Sequence, residues 1–522
     1  MVMPPAARNQ SLGALLRRSA RRQRDKPAIG CGSTNWGFRE FDALCSRVAA
    51  GLSGIGVRKG DPVAVLARNS HGFVALRFAL ARLGAVLVPI NFMLKADEAA
   101  YILRHAGARL LAVDSELADL GRSAAARDTQ VRRFIWLPSE QPTTPPDGMV
   151  RFDELAECTD ELGEIDVRSD DLAQIVYTSG TESQPKGAML THDAVMWQYV
   201  SCIVDGEMSA DDVVLHALPL YHCAQLDCFL GPAVYLGSTS VVTAKPTPDN
   251  LLSLIERHAI TSFFAPPTVW ISLLRSPELE RRDVSTLRKA YYGASIMPVE
   301  VLREMQRRLP NVRLWNFYGQ TEIAPLATAL QPGDQLEKAG SAGKSVLNVE
   351  TRVVDLDMRD VAPGEIGEIV HRSPQLLSGY FRDDERTSAA FEGGWFHSGD
   401  LATVDAEGYI SIVDRKKDMI KSGGENVASR EVEEAIYRLP QVSEVAVVGV
   451  PHERWIEAVT AAIVVKPGEA LTERDVVAHC NSCLAAFKVP KGVVFFETLP
   501  KNPSGKLLKR ELRRQLAGHY GA

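Results

Sequence analysis

Along the chain, short apolar runs alternate with longer stretches in which apolar positions recur at helical spacing. Pro62-Val63-Ala64-Val65-Leu66 reads as a strand, Gly72 to Leu83 as a helix, and the continuous run Ala85 to Ile90 as the next strand. Leu110 to Val113 and Ser240 to Val242 continue the series, and Leu251 to His258 predicts a helix between strands. Nearly continuous apolar strands separated by helices are what a largely parallel sheet covered on both faces requires, because each strand residue then meets a hydrophobic layer. The fold class that follows is α/β. No repeat of roughly 20 to 50 residues recurs, which argues against a solenoid.

At 522 residues the chain exceeds one ordinary core, and its length points to two to four domains. Gln141 to Gly148, with Pro142, Pro145 and Pro146, reads as an exposed loop. A more consequential boundary falls at Lys416-Lys417. Gly408 to Val413 before it reads as a strand, and after it the chain restarts with its own strand and helix pattern, including the run Val445 to Val450. What remains is long enough for a small independent domain.

Composition narrows the class without naming a chemistry. Hydrophobic content of 45% and charged content of 24% are ordinary for a globular protein. A net charge of −6 gives no general pull toward nucleic acid, which is not expected as a partner, so any anion site must be local. Eight scattered cysteines make no disulfide framework and fit a reducing, cytoplasmic setting. Cys480-Asn481-Ser482-Cys483 has a metal-ligand spacing without a second Cys or His pair, and Glu473 to Ala486 reads as a helix carrying both sulfurs on one buried face. Leu12, Leu15 and Leu16 precede Arg17, Arg18, Arg21, Arg22 and Arg24, an amphipathic helix read as having a solvated basic face, with peripheral membrane contact as the alternative. No uninterrupted apolar run reaches the ~18 residues that would span a bilayer.

Chemistry enters at Tyr177-Thr178-Ser179-Gly180-Thr181-Glu182-Ser183-Gln184-Pro185-Lys186-Gly187, which follows the apolar run Leu172 to Val176. Hydroxyls and exposed N–H groups donate to phosphate oxygens and Lys186 adds a point charge, so the segment suits a polyphosphate; a Ser/Gly-rich surface turn is the plainer alternative. Its glycine spacing is not that of a Walker loop. Further on come Tyr318-Gly319-Gln320-Thr321-Glu322, His397-Ser398-Gly399-Asp400-Leu401, Asp414-Arg415-Lys416-Lys417-Asp418, Lys421 to Val427, and Pro500 to Lys506. In this order the motifs resemble the adenylate-forming superfamily of acyl-CoA synthetases, adenylation domains and firefly luciferases, over nearly the whole chain from about Phe38 to Lys506.

The resemblance implies an AMP-forming acyl-CoA ligase. A carboxylate oxygen attacks the α-phosphorus of ATP to give acyl-AMP and pyrophosphate, and the thiol of coenzyme A then attacks the carbonyl and releases AMP. Both steps develop anionic charge, which calls for placed cations and donors rather than a protein nucleophile. By this resemblance Thr178, Ser179, Gly180, Thr181 and Lys186 hold the β- and γ-phosphates, and Glu322 with Thr178 places Mg²⁺. Gly293, Ala294, Ser295 and Tyr318 enclose adenine, Asn316 reads its amino group, Gly319 and Thr321 lie beside the nucleotide, and Asp400 aided by Arg415 accepts from the ribose hydroxyls. Lys506 neutralises charge in the adenylation transition state. The architecture implied is a large N-terminal domain of several subdomains, 1–416, and a small mobile α+β domain, 417–522, turning about Lys417. Rotation presents Lys421, Gly423, Gly424 and Asn426 for thioester formation, with Trp455, Phe487, Lys488 and Lys491 meeting coenzyme A. A homodimer or a monomer is expected.

The acyl pocket implied draws on His222, Gln225, Leu226, Tyr292, Gly293, Phe317, Gly319 and Gln320. His222, also a catalytic candidate beside Lys506, Glu322 and Thr178, falls roughly where amino-acid-activating relatives carry an acidic residue, which argues against an α-amino acid; Asp227 reads as standing behind the pocket. Small Gly293, Ala294 and Gly319 beside Leu226 and Phe317 suit an apolar acid, a medium- or long-chain fatty acid first and an aryl or bulky natural-product acid otherwise. Two departures stand out: Glu182 and Ser183 replace a hydroxyl residue and a glycine in the phosphate loop, and Ile456 replaces the glycine that usually follows Trp455. The first keeps a nucleotide-binding pseudoenzyme open, and a ligase that loads a carrier protein is the other alternative.

Overall fold

The computed structural model describes residues 10–178, 184–295, 297–416, 418–501 and 507–521. Ser179, Gly180, Thr181, Glu182, Ser183, the expected hinge Lys417 and the expected catalytic Lys506 lie outside them. The chain divides into two compact units, Met1–Thr351 with His371–Phe396, and Arg352–Val370 with His397–Ala522.

The first unit holds an eight-stranded and a nine-stranded sheet. In the eight-stranded sheet Val86–Pro89, Pro62–Leu66, Leu110–Val113 and Arg133–Trp136 run parallel. On the other side of Val86–Pro89 lies Leu172–Thr178, which turns back antiparallel into Lys186–Thr191. Alternation along one strand shows the double coverage: Val63 and Val65 enter one hydrophobic cluster, Ala64 and Leu66 another. The helix His71–Leu83 supplies much of the first cluster. Ser70 starts it by accepting from the Phe73 N–H, and Gly84 ends it at φ 70°.

In the nine-stranded sheet Val213–His216, Ser262–Phe264, Lys289–Gly293 and Arg313–Gly319 are successive parallel neighbours. Phe263, Tyr292 and Leu314 face one cluster, while Phe264, Tyr291, Trp315 and Phe317 face another. The carboxyl ends of these strands carry Gly293, Gly319 and the segment after His216, and in open α/β sheets that edge is where ligands bind.

In the second unit Phe396–Val404 pairs antiparallel with Ile410–Arg415. A five-stranded sheet follows, with Val442–His452 and Ile456–Val465 as its long antiparallel pair. Val445 and Val447 pack with Val432, Ile436 and Val476 on one face, and Ala446 and Val448 with Leu512 and Leu516 on the other. Cys480 is buried there, but Cys483, at the last position of the helix Glu473–Cys483, is exposed, so the expected pair of buried sulfurs is corrected. That helix ends before the final residues of the predicted stretch, and its last three residues are exposed. All eight cysteines are free, and among the described residues no group of three His, Cys, Asp or Glu side chains is arranged to hold a metal ion.

Candidate active site

Thr178 ends its strand opposite Lys186, and two residues on Ala188 pairs with Tyr380, so three antiparallel strand segments bring a hydroxyl, an ammonium and a phenol to one corner. The Lys186 ammonium lies 5.2 Å from the centre of the Tyr380 ring. The Tyr380 hydroxyl donates to Glu322 Oε1 at 3.1 Å, and the Leu377 N–H donates to the Glu322 carbonyl at 2.8 Å. Burial first, and the Glu322 carboxylate next, push the Tyr380 phenol well above its ordinary value, so it remains a donor. Glu322 thus presents a carboxylate aimed by a fixed hydrogen bond, on the short turn Thr321–Ile323. Thr321 is buried, with its hydroxyl 3.3 Å from the Cys223 sulfur.

Beside this corner the parallel register pairs Gly293 with Phe317 and Tyr292 with Asn316. Asn316 is buried and its amide donates to the Ser341 carbonyl at 2.9 Å, which fixes the side chain. Ala294 adopts φ 64° as the chain leaves the strand toward Ser295, while Tyr318 packs half-buried against the cluster that contains Phe317. A Cβ on Gly293 would lie 2.4 Å from the Phe317 carbonyl oxygen, and one on Gly319 1.8 Å from that of Pro325. Their smallness is therefore demanded by neighbouring backbone and is not by itself a sign of pocket shape.

The expected pocket residues do not all face one space. His222 caps the turn Cys223–Gln225 by accepting from the Ala224 N–H at 3.1 Å. Gln225 is fully buried, accepting from the Leu218 N–H and bonded to His216 Nδ1 at 2.9 Å, and Leu226 is buried in the first unit's largest hydrophobic cluster. Tyr292 points to the face opposite Phe317, its hydroxyl donating to Gln335 at 2.9 Å. Gln320 differs from these: its Nε2 is enclosed without a hydrogen-bond partner among the described residues, a donor whose desolvation costs about 1 to 3 kcal/mol until something accepts from it.

The second unit carries Asp400 and Arg415 as cross-strand neighbours, the Asp400 carboxylate 3.5 Å from Arg415 Nε. The Asp400 N–H donates to Ser398 Oγ at 3.0 Å, and Ser398 donates to the Ile369 carbonyl at 2.6 Å. Against the raising effect of burial, bonds from Lys416 and His397 hold the nearby Glu368 carboxyl below its ordinary value.

Lys421 to Val427 forms a hairpin whose two turn residues, Gly423 and Gly424, sit at φ 63° and 91°, the left-handed pair that a two-residue turn of this hand needs. Asn426 pairs with Lys421 across it. The Gly423 N–H donates to the Trp455 carbonyl at 2.8 Å, and a Cβ on Gly423 would lie 2.9 Å from the indole. Arg454 and Lys491 lie 4.8 and 5.2 Å from the Trp455 ring centre, whereas Lys488 is paired with Glu431 at 2.6 Å beside the exposed Phe487. Burial lowers the Lys491 pKa. Ile456 occupies the glycine-like conformation at φ 66° although it is β-branched, and it is 67% exposed.

Residues 16–381 match the family described as AMP-binding enzyme, and residues 431–506 match the AMP-binding enzyme C-terminal domain. The chain belongs to the AMP-binding enzyme family. It is 36% identical to a feruloyl-CoA synthase from Amycolatopsis sp., covering 97% of this chain and 99% of that one. It is 36% identical to the long-chain-fatty-acid–CoA ligase FadD13 of Mycobacterium tuberculosis, covering 92% of each. The crystal structure of the anthranilate CoA ligase AuaEII in complex with anthranoyl-AMP superposes with a TM-score of 0.89 at 28% identity, covering 99% of this chain and 98% of that one. The reaction class of this AMP-binding enzyme is that of its relatives, AMP-forming ligation of an acid to coenzyme A.

Sequence reasoning missed Tyr380, whose pair Gly379-Tyr380 makes a two-residue strand too short for any periodic signal. It also passed over Glu368 and left unnamed the partners of Asp227. The latter is fully buried on a single π-helical turn, Leu226–Leu230, and accepts from Gln174 at 2.7 Å and from Tyr199 and Arg77 at 3.3 Å each. Burial pushes the Asp227 carboxyl up, with Arg77 opposing.

Proposed function

We propose that this AMP-binding enzyme activates an apolar carboxylic acid bearing an aromatic or alicyclic ring, ahead of the fatty acid that the sequence favours. The observation that carries the adenylation chemistry is the corner where Thr178, Lys186 and Glu322 are tied together through Tyr380. Lys186 supplies positive charge for phosphate oxygens and Thr178 a hydroxyl. Glu322 and Thr178 would hold a Mg²⁺ ion, which takes one or two protein oxygens alongside substrate phosphates and neutralises triphosphate charge when bound. Asn316 and Tyr318 would take the adenine, Asp400 with Arg415 the ribose, and the hairpin Lys421 to Val427 with Trp455 and Lys491 the coenzyme A.

Support for a ring-bearing acid comes from the feruloyl-CoA synthase and anthranilate CoA ligase among its relatives, and from the enclosed Gln320 donor, which suits an acid carrying a polar ring substituent. A long-chain fatty acid is the second reading, favoured by the equal identity to FadD13. The division of labour between 1–416 and 417–522, with Lys506 as the adenylation lysine, and a cytoplasmic setting complete the proposal.

A panel assay of AMP release with coenzyme A tests it, using hydroxycinnamic, arylacetic, C8 to C16 fatty and α-amino acids. Turnover is expected to be highest, by at least about 10-fold in kcat/KM, for a ring-bearing acid. A fatty acid in first place would replace the first reading with the second, and absence of AMP release with any acid would overturn both.

A further inference from the structure

The helix Ala96–Ala106 places Tyr101 and His105 four residues apart on one face, their rings stacked at 5.5 Å between centres. His105 reaches the strand that leads into the phosphate loop, and Tyr101 reaches the residue just before the strand that leaves it. His105 Nδ1 lies 2.7 Å from the Tyr177 hydroxyl, and the Tyr101 hydroxyl donates to the Pro185 carbonyl at 3.3 Å. Tyr177 directly precedes Thr178 and Pro185 directly precedes Lys186, and Thr178 and Lys186 face each other across the ladder. A third tie completes the arrangement: the Phe381 N–H donates to the Gly187 carbonyl at 2.8 Å, the Phe381 ring meets His105 edge-on, and Arg382 donates to the His105 carbonyl at 3.1 Å. Gly187 leaves room for the Tyr177 ring, since a Cβ there would lie 3.1 Å from its Cζ.

We propose that Tyr101 and His105 are positioning residues for ATP, fixing the separation of Thr178 and Lys186 by holding Tyr177 and Pro185 from outside the loop. The proposal rests on the reading of Thr178 and Lys186 as triphosphate ligands given above. Glu182 and Ser183 stand where the resembled superfamily carries a hydroxyl residue and a glycine, and serine lacks glycine's easy access to positive φ. Burial, then Arg382, lowers the His105 pKa against Asp383, and burial raises that of Tyr177, so near neutral pH the ring is uncharged and the phenol keeps its proton. The two share one hydrogen bond whichever ring nitrogen carries the hydrogen.

The test uses the full-length protein and three readouts: ATP affinity by calorimetry with Mg²⁺, acid-dependent ATP–pyrophosphate exchange, and thermal melting. Removing one part-buried hydrogen bond of about 1 kcal/mol predicts that His105→Ala weakens ATP binding and raises the KM for ATP about 5-fold, leaving the KM for the acid within about 2-fold. His105→Asn, whose amide reaches the place of Nδ1, should restore most of the loss. Tyr101→Phe should give a smaller effect in the same sense. The double variant His105→Ala with Tyr177→Phe should lose no more than the worse single, because both remove the same bond. ATP affinity within about 2-fold of wild type in every single variant would overturn the proposal, as would equal losses for ATP and acid that track melting temperature. If wild type binds ATP but exchanges with no acid, the ligase reading fails while the affinities still decide the positioning role. Failure of wild type to bind ATP would overturn both.

Discussion

The phosphate corner of the first unit and the Gly-Gly hairpin of the second are built on opposite principles. In the corner, polar side chains are aimed by hydrogen bonds, with buried Tyr380 on Glu322 and half-buried His105 on Tyr177, and Asp227 is wholly buried with Arg77, Gln174 and Tyr199. At the hairpin the working surface is an indole flanked by cations, an exposed phenyl ring and a solvent-facing isoleucine in a left-handed conformation. The contrast matches the chemistry proposed for each. Stabilising charge on a triphosphate needs preorganised donors in a low dielectric. Receiving a long, flexible thiol carrier needs accessible backbone and sticky faces, at some cost in local stability.

Breaking the buried network should have the largest effect. Arg77→Met leaves the Asp227 carboxylate without its cation, and a loss of about 3 to 5 kcal/mol in the first unit's stability, read by denaturant unfolding, is expected. A loss under about 1 kcal/mol would mean that Gln174 and Tyr199 suffice to hold Asp227. Next in size is Lys506→Ala, expected to slow acyl-AMP formation about 100-fold while supplied acyl-AMP is still converted to the thioester; rapid-quench analysis of both steps checks it.

Acid sensitivity sharpens the comparison further. Burial lowers the His192 pKa to about 3, so between about pH 6.5 and 3 the unfolded chain takes up a proton that the folded one refuses. Stability contributed by neutral His192 is therefore lost as pH falls through that window, at up to about 1.4 kcal/mol per pH unit. His192→Asn, which keeps an acceptor for the Leu12 N–H, should flatten the dependence of unfolding free energy on pH by that amount, and an unchanged slope would rule His192 out as its source. The smallest effect belongs to the hairpin side. Ile456→Gly should stabilise the second unit by about 1 kcal/mol by relieving the positive φ, measured as a shift in its unfolding midpoint; destabilisation would mean that the exposed side chain is packed by something that matters.

Much of this was legible in the chain. Strands with apolar residues on every position announced a doubly covered sheet, and Val63 to Leu66 divide between two clusters accordingly. The strand Leu172–Thr178 was legible from its apolar run, whereas the reading of Glu322 came from the resemblance of its motif to the superfamily. What stayed hidden depends on contacts between distant segments. Tyr380 meets Glu322 58 positions away and His105 meets Tyr177 72 positions away, and neither carries a neighbouring motif that marks it. Small residues misled for the same reason, since Gly293 and Gly319 answer to backbone atoms of strands that only the fold brings near. The partition that carries Arg352–Val370 into the second unit likewise has no compositional mark.

The central claim is that acid activation belongs to the Glu322 corner and thioester formation to the Trp455 surface. Measuring the two half-reactions separately, by single-turnover acyl-AMP formation and by conversion of supplied acyl-AMP with coenzyme A, in Glu322→Gln and Trp455→Ala tests it directly. The account predicts that Glu322→Gln slows the first step about 100-fold and leaves the second near wild type, while Trp455→Ala raises the KM for coenzyme A in the second step and spares the first. Equal losses in both steps for either variant would contradict it.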